Sequence, residues 1–273
     1  MSQIMSQTFI FTALECEAKP LINYFGLKKE INNHAYSIYK NENTILTVSG
    51  VGKVAMAGAV SYSLAIYQVD SLPILLNIGI AGHKTLQIGT LSLANKVVDI
   101  DSTKKFFPQL IGNGWPETCE INTFSRPSLD YTANCLCDME ASAFYETALR
   151  FSTSELIHCI KVISDNQNSS VEKIQAKLVV EWIEKQISEI DRLLKYLNKL
   201  RNSISSKELR QCIEIEKKWH FTVSGKIRLR ALLVRWELLS NDIWLCNEME
   251  NYKNSKEVLQ KLEADVARLK MIL

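Results

Sequence analysis

Proline and glycine are confined almost entirely to the first half of this chain. All five prolines fall at or before Pro127, and nine of the ten glycines at or before Gly114. Both residues punctuate short strands and tight turns, and both are disfavoured in long helix interiors. The first part can therefore alternate strands and helices with sharp turns. The rest, interrupted only by Gly225, is suited to long helices.

The patterning agrees. "TFIFTAL" (8–14), "HAYSIYK" (34–40), "NTILTVSG" (43–50), "PILLNIGIAG" (73–82), "TLSLANKVVDID" (90–101) and "LIHCIKVISD" (156–165) read as strands. "ECEAKPLINYF", "GKVAMAGAVSYSLAIYQ" and the segment after "CDME" read as helices. This rhythm predicts an α/β fold: a three-layer α/β/α arrangement with a mixed central sheet. Beyond residue 171, apolar residues at Val180, Ile183, Ile187, Ile190, Leu194 and Leu197 step by three and four, as a helix seam does. "RNSISSKE" (201–208) breaks that helix, so the boundary is placed at 202: an α/β domain over 1–202 and an all-α extension over 203–273. The final helix repeats the step through Leu259, Leu262, Val266, Leu269 and Leu273. Arg228, Arg230 and Arg235 could meet a phosphate there or form a solvated rim.

Composition excludes several classes. With 47% hydrophobic and 23% charged residues, the chain is globular and not disordered. A net charge of +2 gives no reason to expect nucleic acid or membrane binding. No apolar run reaches the length of a membrane span, and "FIFTAL" followed by Glu15 and Glu17 is not a leader peptide. Seven cysteines without a CxxC pair, and four histidines without HxxxH spacing, argue against a metal site and fit a reducing cytoplasm.

Two glycine loops follow strands. "SGVGKVA" matches G-x-G-x-x-[GA] at Gly50, Gly52 and Ala55, with Asp70 in the place of a ribose-binding acid. Asp70 precedes the strand "PILLNIGI" instead of ending one, so a dinucleotide fingerprint is rejected. "GIAG" (79–82) also presents bare backbone at a strand's carboxyl end, where open α/β sheets bind ligands. Three carboxylates join these loops. Glu15 follows the first strand and Asp165 ends the last, which puts them on one sheet edge. Glu140 opens a helix with Asp138 as its cap, on the face of Ala143, Phe144, Ala148 and Phe151, so it points inward.

Taken together, "ALECEA" (13–18), "VSGVGKVAMAGA" (48–59), "NIGIAG" (77–82), "DMEASA" (138–143) and "ISDN" (163–166) resemble the nucleoside phosphorylase/nucleosidase superfamily. The branch they resemble is the methylthioadenosine/S-adenosylhomocysteine nucleosidases, over about residues 7–200. The resemblance implies hydrolysis of a purine nucleoside's N-glycosidic bond, with no cofactor and no metal, by a homodimer. It implies that Glu15 directs the attacking water, that Glu140 with Met139 grips the ribose hydroxyls, and that Asp165 beside Ser164 protonates the leaving base. Ala81 and Gly82 would line the nucleoside, and Phe124 would stack on the base. The segment between Asp99 and Glu140 is shorter than in that family, and the helical extension is absent from its minimal members.

The chemistry suits these residue types. Breaking an N-glycosidic bond builds positive charge on the sugar and negative charge on the base, so one carboxylate and one protonated acid are needed. A phosphorylase needs cations for phosphate. The first arginine is Arg126, and the early loops offer only Lys53 and His83, so water is favoured as nucleophile. Phosphorolysis and a non-catalytic nucleoside-binding protein remain the alternatives.

Overall fold

The computed structural model describes residues 8–31, 35–67, 72–110, 115–127, 131, 134–203, 206–240 and 252–270. Asp70 and Leu273 lie outside them. The strands are β1 (Thr8–Thr12), β2 (Lys28–Lys29), β3 (Ser37–Lys40), β4 (Thr44–Val48), β5 (Ile74–His83), β6 (Leu91–Asp99), β7 (Lys105–Phe106), β8 (Thr118–Thr123), β9 (Leu136–Asp138) and β10 (Ile157–Asp165). The helices are α1 (Glu15–Phe25), α2 (Lys53–Ile66), α3 (Ala141–Ala148), α4 (Ala176–Ser203), α5 (Ser206–Lys218), α6 (Val223–Ser240) and α7 (Ser255–Lys270).

The sheet is mixed, as expected. β5 lies between β1 and β10 and runs parallel to both, and β4 continues in parallel from β1. β6 pairs antiparallel with β10 and parallel with β8. β9 then runs parallel to β8 and antiparallel to the end of β5. These pairings close a ring, β5–β10–β6–β8–β9, with β1, β4, β3 and β2 fanning out from it. The ring was not foreseen, because the three-residue β9 that closes it is too short to show a period in sequence.

The central strands are continuous apolar runs because both of their faces are covered. Phe9, Phe11, Ile45, Leu75, Cys159 and Ile163 pack with Met56, Ala59 and Val60 of α2 and Phe144 and Tyr145 of α3. Ile10, Leu46, Leu76, Ile78, Ile160 and Val162 alternate to the opposite face and are equally buried. Along α4, Ile183, Ile187, Ile190, Leu194 and Leu197 are buried as the seam predicts, but the seam starts at Val179 instead of the half-buried Val180.

The chain divides into two compact units, residues 1–197 and 198–273, and the division falls inside α4. The second unit has a core of its own, built from Ile215, Phe221, Leu229, Leu232, Val258 and Leu262. Its Arg228 pairs with Glu263 at the surface. Among the described residues no helix is long and apolar enough to cross a membrane.

Phe144 is fully buried, and its ring lies 5.8 Å from that of Phe11. Phe144→Ala is expected to cost about 3–5 kcal/mol of unfolding free energy. Urea denaturation should show a lower midpoint at an unchanged slope.

Candidate functional site

The carboxyl ends of β1, β5 and β10 lie side by side, and three short-range features aim carboxylates at that edge. The first is a β-bulge. Ile163 pairs with Ala81 and Asp165 with Gly82, which leaves Ser164 unmatched on β10. A bulge re-aims the side chains that follow it. Asp165 is accordingly buried against Gly82, where an added Cβ would stand 2.5 Å from Asp165 Oδ2. Ser164 Oγ donates to Asp165 Oδ1 at 2.5 Å, and Tyr131 Oη donates to Oδ2 at 2.7 Å. Burial and this carboxylate push the Tyr131 phenol up to about 12.

The second feature is the start of α1, and it corrects the expectation for Glu15. Glu15, the first residue of the helix, is exposed and accepts a bond from Tyr39 Oη at 3.2 Å. It does not line the pocket. Glu17, two residues on, does. As the third helical residue its side chain folds back over the helix start. Its Oε2 accepts the N–H groups of Ala13 at 2.8 Å and Leu14 at 2.9 Å, and its Oε1 accepts that of Ile80 at 2.9 Å. Only 2% of Glu17 is exposed. Burial raises its pKa, opposed by the charge of Lys161 and by the three N–H donors. Glycine is needed opposite it, since a Cβ on Gly79 would meet Glu17 Oε1 at 2.8 Å.

The third feature is the junction of β9 and α3. Glu140 itself holds the N-cap position of α3, which corrects the assignment of that position to Asp138. Asp138 nevertheless supplies the capping oxygen, accepting the Ala141 N–H at 2.8 Å. Its other oxygen accepts Thr123 Oγ1 at 2.7 Å. Lys161, buried on β10, lies 2.9 Å from Asp138 Oδ2. Glu140 is buried as expected, and its Oε1 accepts the N–H of Gly52 at 2.7 Å. Gly52 has φ +101, a backbone state that a side chain would strain. Desolvation, offset by Lys161 and reinforced by Asp138, raises the Glu140 pKa to about 7.

These features converge on one pocket. Glu17, Asp138, Glu140 and Asp165 line it together with Met139, Ser164, Ala81 and Gly82. Leu14, Val51, Pro127, Val171 and Ile174 supply apolar walls. Phe124 is not in this lining; it is half-buried, and its N–H donates to the Asp138 carbonyl. The two cations weighed for phosphate are engaged elsewhere. Lys53 Nζ lies 2.6 Å from Asp99 and 2.7 Å from Asp101. His83 is buried, its Nδ1 accepts the N–H groups of Thr85 and Leu86, and desolvation lowers its pKa. Sequence reasoning passed over Glu17, Lys161 and Tyr131. A lysine inside the apolar run "HCIKVIS" was the available signal for Lys161.

No protein-family profile and no curated protein matches the chain. Solved structures do match in fold. The 5′-methylthioadenosine/S-adenosylhomocysteine nucleosidase of Campylobacter jejuni superposes with a TM-score of 0.52 at 17% identity, covering 70% of this chain and 99% of that one. The 5′-methylthioadenosine nucleosidase of Arabidopsis thaliana gives 0.54 at 17% identity, over 72% and 97% of the two chains. A futalosine hydrolase mutant of Helicobacter pylori gives 0.52 at 14% identity, over 70% and 100%. The chain therefore has the nucleosidase fold, followed by a helical extension.

The raised pKa of Glu140 sets a pH dependence. Its folded form keeps a proton up to about pH 7, whereas the ordinary value is 4.5. The native state thus binds more protons in that window, and stability contributed by Glu140 falls as pH rises through it. Glu140→Gln is expected to flatten the slope of melting temperature against pH between 4.5 and 7, and to melt above the parent protein at pH 8.

Proposed function

We propose that this protein hydrolyses the N-glycosidic bond of a purine nucleoside of the methylthioadenosine/S-adenosylhomocysteine type, releasing free base and a ribose derivative. The observation that carries this reading is the convergence of Glu17, Glu140 and Asp165, all buried, on one apolar-walled pocket. The fold shared with nucleosidases supports it.

Each carboxylate has a part in the bond's rupture. As the C1′–N9 bond breaks, its electron pair passes to the base and positive charge grows on the sugar ring. Asp165 gives its proton to a ring nitrogen of the base, which makes the base a neutral leaving group. Ser164 and Tyr131 donate to the carboxylate left behind. Glu140 accepts the ribose hydroxyls, and its ionised form, which the charge of Lys161 favours, stabilises the cation forming beside it. Water adds at C1′, and Glu17 takes the water's proton. Burial raises the Glu17 pKa, which makes it a stronger base than a solvated carboxylate. This role passes to Glu17 from Glu15, which faces away from the pocket. Met139, Ala81 and Gly82 contribute contact surface.

Water is preferred to phosphate as nucleophile because four carboxylates and no arginine or exposed lysine line the pocket among the described residues. An anion would meet repulsion there. Binding without turnover is the second reading, and the position of Phe124 outside the lining favours it. Assembly as a homodimer, cytoplasmic location and the division of labour between the α/β domain and the helical extension belong to the same proposal.

The deciding experiment incubates the full chain with methylthioadenosine, S-adenosylhomocysteine, inosine and adenosine, with and without phosphate. Free base and sugar product are then measured. Base release without phosphate is expected. Release that requires phosphate selects phosphorolysis, and binding without release selects the second reading. Glu17→Gln and Asp165→Asn should each slow release by about 10²–10⁴-fold, while Glu15→Gln should leave it within about twofold. Full activity in Glu17→Gln would return the water-directing role to another residue.

A further inference from the structure

Lys53 is oddly placed for a lysine. It is the first residue of α2, where the helix dipole disfavours a cation, and α2 has no acidic residue in its first turn to compensate. It is nevertheless ordered between two carboxylates, Asp99 Oδ2 at 2.6 Å and Asp101 Oδ2 at 2.7 Å. Both contacts engage the ammonium that the sequence offered for phosphate.

The contacts form a circuit that returns to Glu140. Gly52 donates its N–H to Glu140 Oε1 at 2.7 Å. Ser142, two residues beyond Glu140, donates its hydroxyl to Asp99 Oδ2 at 2.7 Å. Asp99 Oδ1 accepts the Ser102 N–H at 2.7 Å, which fixes the turn after β6. Asp99 then binds Lys53, the residue next to Gly52. Ser125 donates to Asp101, which closes the outer side. The start of α2 and the start of α3 are thereby joined twice, once through Gly52 and once through Lys53 and Asp99.

The first join alone is a weak anchor. The loop before Gly52 is tied to β1 by the Ser49 N–H to the Thr12 carbonyl at 2.8 Å and the Gly50 N–H to the Ala13 carbonyl at 3.1 Å, but Gly52 itself, at φ +101 and without a side chain, reaches Glu140 through its N–H alone. The Lys53–Asp99 bridge fixes the adjacent Cα and sets the distance between the two helix starts. Both partners are partly shielded, with 19% and 11% of the side chains exposed, so the bridge is not a freely solvated surface pair.

We propose that Lys53, acting through Asp99 and Ser142, is a positioning residue: it holds the Gly52 N–H against Glu140 and so fixes the carboxylate that grips the ribose hydroxyls. The proposal rests on the assignment of Glu140 to the ribose. It predicts a selective defect. Recognition of the 2′- and 3′-hydroxyls should suffer, and recognition of the base should not.

The test uses the full chain in the Asp165→Asn background, so that ligand is bound without turnover. Calorimetry gives dissociation constants for adenosine, 2′,3′-dideoxyadenosine and free adenine. The Asp165→Asn parent should prefer adenosine to its dideoxy analogue. Lys53→Met should reduce that preference at least about tenfold, towards equality, with adenine affinity unchanged; misplacement of a gripping group by about 1 Å can cost up to 10²-fold. Lys53→Arg should restore most of the preference. Ser142→Ala cuts the same circuit without stripping Asp99 of its cation, and should give a smaller loss in the same direction. A preference retained in Lys53→Met overturns the proposal and leaves the ribose role of Glu140 standing. No preference in the Asp165→Asn parent overturns the ribose role itself, and this proposal with it. Equal weakening of all three ligands would mark a general loss of structure and also overturn it.

Discussion

A single buried cation organises this pocket. Lys161 is 1% exposed on β10, and Asp138, Glu140 and Glu17 all act on it. Desolvation works against its charge, and the three carboxylates outweigh that, so its pKa rises. A buried charge is tolerated only when paired and hydrogen-bonded. Removing Lys161 would leave its carboxylates uncompensated; removing Asp138 would strand Lys161. The group is a poor means of stabilising a fold, because well-packed apolar residues would do as well or better. Its three carboxylates line the pocket, which fits a demand for negative charge there.

The remaining architecture serves that group. The closed ring brings β9 beside the end of β5, which places Asp138 and Glu140 across from Asp165. The bulge at Ser164 turns Asp165 into the same space. Glycines at 79 and 82 leave room for two carboxylates to lie directly on the β5 backbone. The apolar walls from Leu14, Val51 and Ile174 lower the local dielectric, which strengthens every charge interaction within. The raised pKa values of Glu17 and Glu140 are the direct result.

The order of strands and helices was legible because the central strands read as continuous apolar runs, α4 and α7 show a helical step, and glycine and proline punctuate the first half. Glu140 and Asp165 were legible for a similar reason: one opens an amphipathic helix on its apolar face, the other ends a continuous apolar strand. Glu15 and Glu17 could not be separated in this way. Both follow β1 closely, and strand position alone does not say which one faces the pocket. The choice was made by helix geometry, in which the third residue turns back over the helix start while the first points outward to Tyr39. Tyr131 carried no pattern at all, since a lone tyrosine in a loop gives no period to read.

The sequence by itself determined the α/β succession, the helical remainder, and the two glycine loops that a ligand edge requires. These are local properties, set by side-chain period and by backbone freedom at glycine. Tertiary structure alone decided which carboxylates meet, what neutralises them, and which candidate cations are withdrawn from the pocket. Lys53 and His83 look available in the chain, yet one is held by Asp99 and Asp101 and the other accepts two backbone N–H groups. Electrostatic partners are chosen by distance in space, and residues as remote as Glu17, Asp138 and Lys161 become neighbours only when β1, β5, β9 and β10 join one sheet.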